Sequence, residues 1–179
     1  VKNAGDSKTN AIAVTGADAK PGLQNYVITK DEGTISVYAK SGVTVTILEN
    51  SGTVTYNGEE QKVSGYTVKS IQVGSEATGL YTASDFRFTG TEADQTAKGT
   101  DAGTYDMGLS ASMFENTNPN FKDVTFVVED GTLKIDPKPV TLSTETESWE
   151  YDGAEHSAAA VSGTEGFYDR DRISATASE

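Results

Sequence analysis

The chain has 179 residues, of which 35% are hydrophobic and 23% are charged, a length that allows one large domain or two small ones. Asp and Glu number 27 against 14 Lys and Arg, and the formal net charge of −13 repels nucleic-acid phosphates and anionic lipid headgroups. The sequence contains no cysteine and one histidine, His156, which excludes disulfide frameworks, thiol nucleophiles and the usual zinc sites. The composition therefore argues against an enzyme, and we expect no cofactor.

Short segments rich in β-branched and aromatic residues dominate the chain and are separated by turn residues. Most alternate apolar with polar side chains, which is typical of strands with one buried and one exposed face. The predicted strands, in chain order, are 26–29, 34–38, 43–47, 53–56, 66–68, 85–88, 124–128, 132–135 and 140–142. Asn57-Gly58 and Asp130-Gly131 predict tight hairpins, because such pairs supply residues with positive φ. Segment 111–116 is predicted as a helical turn and segment 94–101 as a solvated loop.

Several motifs recur about 95 residues apart. Tyr56-Asn57-Gly58 returns as Tyr151-Asp152-Gly153, 95 residues later, and Asn25-Tyr26 returns as Asn120-Phe121 at the same spacing. The segment 31–35, DEGTI, returns as 129–133, EDGTL. This period exceeds that of solenoid repeats and matches a self-contained sandwich domain.

The phase of the repeat predicts three parts of a chain that we expect to be cut from a longer protein. Residues 1–42 are predicted to be the C-terminal part of a preceding β module, 43–137 a complete module, and 138–179 the N-terminal part of a following module. Pro137-Lys138-Pro139 is the predicted linker, because both prolines interrupt strand pairing. The predicted fold is all-β, with tandem Ig-like β-sandwich modules. The alternative is a β-grasp-like sheet with one short helix around 111–116.

The order of the motifs resembles the YDG and MBG-type repeats of bacterial surface proteins. The resemblance is carried by the two Tyr-Asx-Gly motifs, by the segment TDAGTY at 100–105, by Asn120-Phe121, by EDGTLKI at 129–135 and by PVTL at 139–142. It implies a non-catalytic repeat segment of an exported, cell-wall or surface-attached, adhesin-like bacterial protein that serves as a stalk or spacer. Its implied partners are neighbouring repeats and a host or cell-wall glycan or protein. The alternative function is a carbohydrate-binding accessory module of a secreted enzyme.

Three residues near the second Tyr-Asx-Gly motif are the candidate ligand contacts: Trp149, Tyr151 and Asp152. Two aromatic rings and a carboxylate suit a sugar ring and its hydroxyls, whereas the plainer interpretation is an aromatic pair that packs in the core. The acidic pairs at 31–32, 129–130 and 169/171 lack the alternating pattern of a calcium loop, and His156 is expected to be solvated. A crosslink between Asn120 and Lys62 or Lys69 is a further hypothesis.

The partial modules at the two ends lead to one structural prediction. An incomplete β-sandwich leaves strand edges unpaired and part of its hydrophobic core exposed. Unpaired edges readily form hydrogen bonds with other strands. We therefore expect a composite module, within one chain or between successive molecules. One side would contribute Tyr26, Ile28, Ile35 and Val37, and the other Trp149, Tyr151 and Val161. The competing expectation is that the module boundaries lie elsewhere.

Overall fold

A computed structural model of the chain describes residues 1–13, 29–157, 161–171 and 173–176. This part of the chain is all-β, and its helices are 3₁₀ turns of three residues, such as Ala111–Met113. The strands are β1 (Ser7–Asn10), β2 (Gly33–Ser36), β3 (Val43–Glu49), β4 (Gly52–Thr55), β5 (Gln61–Ser64), β6 (Tyr66–Val73), β7 (Phe86–Phe88), β8 (Thr96–Gly99), β9 (Gly103–Asp106), β10 (Phe114–Asn116), β11 (Val124–Glu129), β12 (Thr132–Asp136), β13 (Ser143–Thr144) and β14 (Val161–Ser162). They form several small sheets, consistent with the predicted β-sandwich, so the predicted all-β class is confirmed.

The first of two compact units contains residues 1–47, 68–89 and 110–128. Its main sheet has the strand order β11-β3-β6, and β10 pairs with β7. Strand β3 alternates buried and half-buried residues, as its sequence VTVTILE requires, and buries Val43, Val45 and Ile47 almost completely. The rings of Phe86 and Phe114 both pack against Phe126, with centroids 5.3 and 5.6 Å away.

The second unit contains residues 48–67, 90–109 and 129–179. Strand β12 is the centre of its main sheet: it pairs in parallel with β4 and antiparallel with β9. Strands β5 and β8 form an antiparallel pair, and so do β13 and β14. The core of this unit consists of Ala97, Met107, Leu109, Leu133 and Ile135.

Two short connections carry the chain from one sheet to another. Strand β3 lies in a different sheet from β4, and β11 lies in a different sheet from β12, although each pair is separated by only two residues. The hairpin predicted at Asp130-Gly131 is therefore wrong, and the φ of Gly131 is not positive. Glycine is needed there for another reason: an added Cβ would lie 2.5 Å from the carbonyl oxygen of Asn50 and 2.7 Å from that of Glu49.

Most of the predicted strands are present, with differences that have identifiable causes. Segment 94–101 is not a loop, because β8 occupies it and buries Ala97 to 1% exposure. Segment 111–116 contains a 3₁₀ turn followed by β10, which buries Phe114, so the helix of the β-grasp alternative is absent from this segment. The strand predicted at 140–142 is wrong, since β13 begins at Ser143. The strand predicted at 26–29 lies almost entirely outside the described residues.

Strand β2, which was expected to join a composite module, pairs with β1, in the register Ser7↔Ser36 to Asn10↔Gly33. Ile35 is 47% exposed in this pair, and Val161 pairs with Thr144. The composite module within one chain is therefore wrong for β2, because its partner is β1 and not a segment of 139–179. Tyr26 and Ile28 lie outside the described residues, and the version between molecules remains a prediction. None of the helices in the described residues is long and apolar enough to cross a membrane.

Candidate functional site

The Tyr56-Asn57-Gly58 motif forms a tight turn after β4, but the predicted hairpin at Asn57-Gly58 is wrong, because β4 pairs with β12 and β5 pairs with β8. The side-chain Oδ1 of Asn57 accepts a hydrogen bond of 2.9 Å from the backbone N–H of Glu59, which is an Asx turn. Gly58 has a φ of +80°, a left-handed conformation that side chains with a Cβ rarely adopt. The backbone N–H of Tyr56 donates to the carbonyl of Asp136 at 2.8 Å. The turn is thus held by the second unit's main sheet, and it presents the ring of Tyr56.

Residues Thr164–Asp171 cover this turn. The ring of Tyr168 packs edge-on against that of Tyr56, with centroids 5.7 Å apart and planes at 74°. An added Cβ on Gly58 would lie 3.0 Å from the ring of Tyr168, so glycine also permits the close approach. The Tyr56 hydroxyl donates a hydrogen bond to the Asp171 carboxylate. This bond favours the neutral phenol and raises the pKa of Tyr56.

The predicted linker takes part in the same contact. Lys138 Nζ donates to the carbonyl oxygen of Gly166 at 2.7 Å and lies 4.1 Å from the centroid of the Tyr168 ring, a cation–π contact. Arg170 Nη2 lies 2.8 Å from Asp101 Oδ1 in an exposed ion pair. A mainly apolar cavity of about 270 Å³ is lined by Tyr56, Lys138, Val140, Phe167 and Tyr168, among others. The arrangement is suited to holding two chain segments together.

The second motif, Tyr151-Asp152-Gly153, repeats the backbone geometry of the first. Oδ1 of Asp152 accepts a hydrogen bond of 2.9 Å from the backbone N–H of Ala154, and Gly153 has a φ of +78°. The hydrogen bond from Ala154, followed by that from His156, lowers the pKa of Asp152. The surroundings of the two turns differ. Tyr151 is 98% exposed, and no atom of the residues that the structure describes lies within 4 Å of a Cβ placed on Gly153.

The structure brings two of the three candidate ligand contacts together through His156. The imidazole of His156 stacks on the indole of Trp149, with centroids 4.7 Å apart and planes at 12°, and its Nε2 lies 2.9 Å from Asp152 Oδ1. Trp149 is 46% exposed, and the segment 145–151 is not a strand. The interpretation of Trp149 and Tyr151 as a core pair is therefore wrong. Tyr151 stands apart from this stack, exposed at the tip of its turn.

The other candidate sites gain no support from the geometry. No group of three or more acidic or histidine side chains suited to a metal ion occurs within the described ranges. Lys62 lies opposite Lys98 in the β5–β8 pair, and Oδ1 of Asn120 accepts a hydrogen bond of 2.7 Å from the backbone N–H of Ala4. The side chain of Asn120 is thus hydrogen-bonded to Ala4, and the residue opposite Lys62 is another lysine. Neither contact is the one that the crosslink hypothesis requires.

Sequence reasoning missed the residues that cover the first turn. Tyr168 and Asp171 lie in 3₁₀ turns and loops without a periodic pattern, so no spacing rule would have selected them. Tyr105, the last residue of the TDAGTY segment, has its ring over Gly99, close enough to meet an added Cβ there. The glycine of the Tyr-Asx-Gly motif could have indicated the contact with Tyr168, because a glycine permits the close approach of another side chain as well as a turn.

Comparison with known proteins gives one match, to a family model described as the MBG domain, over residues 43–137. This range includes the first Tyr-Asx-Gly turn and covers more than half of the chain. The MBG domain is the YDG-like, non-catalytic repeat region of surface proteins, so the resemblance inferred from the motifs is confirmed. No curated protein and no solved structure matches the chain. The chain belongs to the MBG domain family of repeat modules.

Proposed function

We propose that this chain is a non-catalytic segment of an exported bacterial cell-surface protein, in which successive MBG modules form a spacer. One observation carries the proposal: the Tyr-Asx-Gly turn occurs twice, 95 residues apart, with the same hydrogen bond and the same positive φ at glycine. Residues Thr164–Asp171, which follow the second turn in sequence, pack on the first. Such a contact couples one repeat to the next, as a spacer requires.

The proposal includes the module boundaries that the phase of the repeat predicts. We place one complete module at 43–137, the end of a preceding module at 1–42 and the start of a following module at 138–179. The short linker between the last two is fixed at Lys138, whose ammonium group bonds to Gly166 and lies over Tyr168. A linker anchored at its centre restricts bending between modules.

The charge of the chain suits an exposed array. The net charge of −13 over 179 residues gives neighbouring molecules a mutual repulsion that keeps them soluble and apart. Neighbouring repeats of the same chain are then the main partners, and a glycan or protein of the host or cell wall is the partner for adhesion.

Small-angle X-ray scattering of chains with one, two and three added MBG repeats tests the spacer function. A spacer predicts that the maximum dimension increases by a constant amount with each repeat. A maximum dimension that levels off while the mass increases would contradict it, because the modules would then collapse onto one another.

A second candidate, a carbohydrate-binding accessory module of a secreted enzyme, is favoured by the exposed rings of Trp149 and Tyr151. A glycan array distinguishes the two functions. A spacer alone predicts no consistent binding, and an adhesive spacer predicts binding that survives Trp149→Ala. Binding that Trp149→Ala abolishes would favour the carbohydrate-binding alternative.

A further inference from the structure

The two Tyr-Asx-Gly turns show the same surface in two states, covered and bare. At the first turn, Tyr56 is half-buried, its ring contacts Tyr168 and its hydroxyl is bonded to Asp171. At the second turn, Tyr151 is 98% exposed, and among the described residues none has an atom within 4 Å of a Cβ placed on Gly153. The Asx hydrogen bond and the glycine φ are the same at both turns, but only the first turn follows a paired strand and carries the packed segment Thr164–Asp171.

We infer that the Tyr-Asx-Gly turn of one MBG module is a docking surface for a segment like Thr164–Asp171 in the module that follows it. The occupant of the Tyr151 turn is then the segment of a further module that corresponds to Thr164–Asp171. This inference rests on the proposed tandem array of modules, and it identifies the surface through which successive modules contact each other. Neither the adhesive role nor any ligand enters the inference.

The chemistry of the first contact defines what the occupant must offer. Tyr168 supplies a ring edge against the Tyr56 ring, and Asp171 supplies a carboxylate that accepts from the phenol. The segment also offers the Gly166 carbonyl to the linker lysine, Lys138. An occupant of the Tyr151 turn therefore needs an aromatic residue followed, three positions later, by a hydrogen-bond acceptor. A flat aromatic ring can pack closely beside a glycine because the glycine has no Cβ. This close approach adds to the positive φ that favours glycine at both turns.

A longer chain makes the occupant available to the second turn. By the 95-residue period, Glu179 corresponds to Ser84, so a second copy of residues 85–179 placed after residue 179 completes the second module and begins a third. In that chain, the segment Thr164–Asp171 of the second copy is positioned to dock on the Tyr151 turn of the first copy. The original Tyr56 turn remains as an internal standard.

Nitration of tyrosine by tetranitromethane, followed by mass spectrometry of the peptides, measures whether each turn is covered. In the 179-residue chain, we expect Tyr151 to react about tenfold faster than Tyr56, which corresponds to about 1.4 kcal/mol of protection. In the longer chain, we expect Tyr151 of the first copy to become as slow as Tyr56. Tyr168→Ala in the second copy only should restore its reactivity, and Tyr168→Ala in the first copy only should expose Tyr56 instead.

Fast reaction of Tyr151 in the longer chain, with Tyr56 still protected, would overturn the inference, because the fold would be intact and the second turn bare. Protection of Tyr151 that survives Tyr168→Ala in the second copy would also overturn it, since a different surface would then cover the turn. These outcomes are separate from the spacer test. An array whose length grows regularly while Tyr151 stays reactive keeps the proposed function and removes the docking surface.

Discussion

The carboxylate of Glu49 accepts a hydrogen bond from the backbone N–H of Gly131, 82 residues further along the chain, at 2.7 Å. Its other oxygen accepts from the N–H of Leu109 at 3.0 Å, and Glu49 is only 2% exposed. Glu49 occupies the fourth inward position of β3, after Val43, Val45 and Ile47. The carboxylate thus accepts hydrogen bonds from two backbone N–H groups, and it lies beside the short connections from β3 to β4 and from β11 to β12.

Substitution Glu49→Ala should lower the free energy of unfolding by about 3 kcal/mol, because two buried N–H groups lose a charged acceptor. Glu49→Gln should cost less, since its amide oxygen still accepts one of the two bonds. Urea denaturation followed by circular dichroism measures the change. Glu147→Ala, at an exposed position, is the matched control and should have no measurable effect. Equal stability of Glu49→Ala and Glu147→Ala would contradict the role of the carboxylate.

Gly131→Ala should lower the free energy of unfolding by about 2 kcal/mol, because its Cβ would be forced against the carbonyl oxygens of Asn50 and Glu49. Gly33 provides a control, since it has no positive φ and, within the described part of the chain, no atom within 4 Å of an added Cβ. Denaturant midpoints of the two variants give the comparison. A loss in Gly33→Ala as large as that in Gly131→Ala would refute the steric explanation.

The stability of the first unit should fall at alkaline pH because of Tyr81. Burial, together with the negative charge of Asp85, raises the pKa of Tyr81 to about 12 from an ordinary value of 10.0. The hydroxyl of Tyr81 is 3.0 Å from both the Asp85 carbonyl and Asn116 Oδ1. Since the folded state holds its proton more tightly than the unfolded state, this stabilisation is complete below pH 10 and decreases as the pH rises towards 12.

Between pH 9 and pH 11, the free energy of unfolding should therefore fall by about 1 kcal/mol more in the natural chain than in Tyr81→Phe. Urea denaturation of both proteins at the two pH values measures this difference. The comparison with Tyr81→Phe removes the contributions of the other tyrosines. Parallel pH dependence of the two proteins would show that Tyr81 does not titrate as described.

Trp149, the one tryptophan of the chain, reports on the second turn through its stack with His156. In His156→Ala, acrylamide should quench the fluorescence of Trp149 more efficiently, because one face of the indole loses its cover. Tyr151→Ala should leave the quenching constant unchanged, since the Tyr151 ring stands away from the stack. A quenching constant that is unaffected by His156→Ala would show that the two rings are not stacked in solution.

The strands that the sequence predicts well are those whose alternation decides which face is buried, such as β3 and β12. Period-2 alternation also places Glu49 on the buried face of β3. The sequence nevertheless predicts that the strand ends at residue 47, because a charged residue followed by turn residues is typical of an exposed turn. The change of sheet at Gly131 was not predictable, because an Asp-Gly pair is typical of hairpins and only the crowding around Gly131 distinguishes this connection. The repeat identified the second Tyr-Asx-Gly turn, whereas the cover on the first turn depends on Tyr168, a contact between residues more than 100 positions apart.

Limited proteolysis with trypsin tests most directly whether residues Thr164–Asp171 dock on the first Tyr-Asx-Gly turn. Trypsin cleaves after Arg170, which lies in that segment, and docking should slow this cleavage in the natural chain. We predict that Tyr56→Phe, which removes only the bond to Asp171, increases the rate moderately, that Tyr56→Ala increases it further, and that Tyr151→Ala leaves it unchanged. A cleavage rate after Arg170 that is the same in Tyr56→Ala and in the natural chain would contradict the docking of one module on the turn of another.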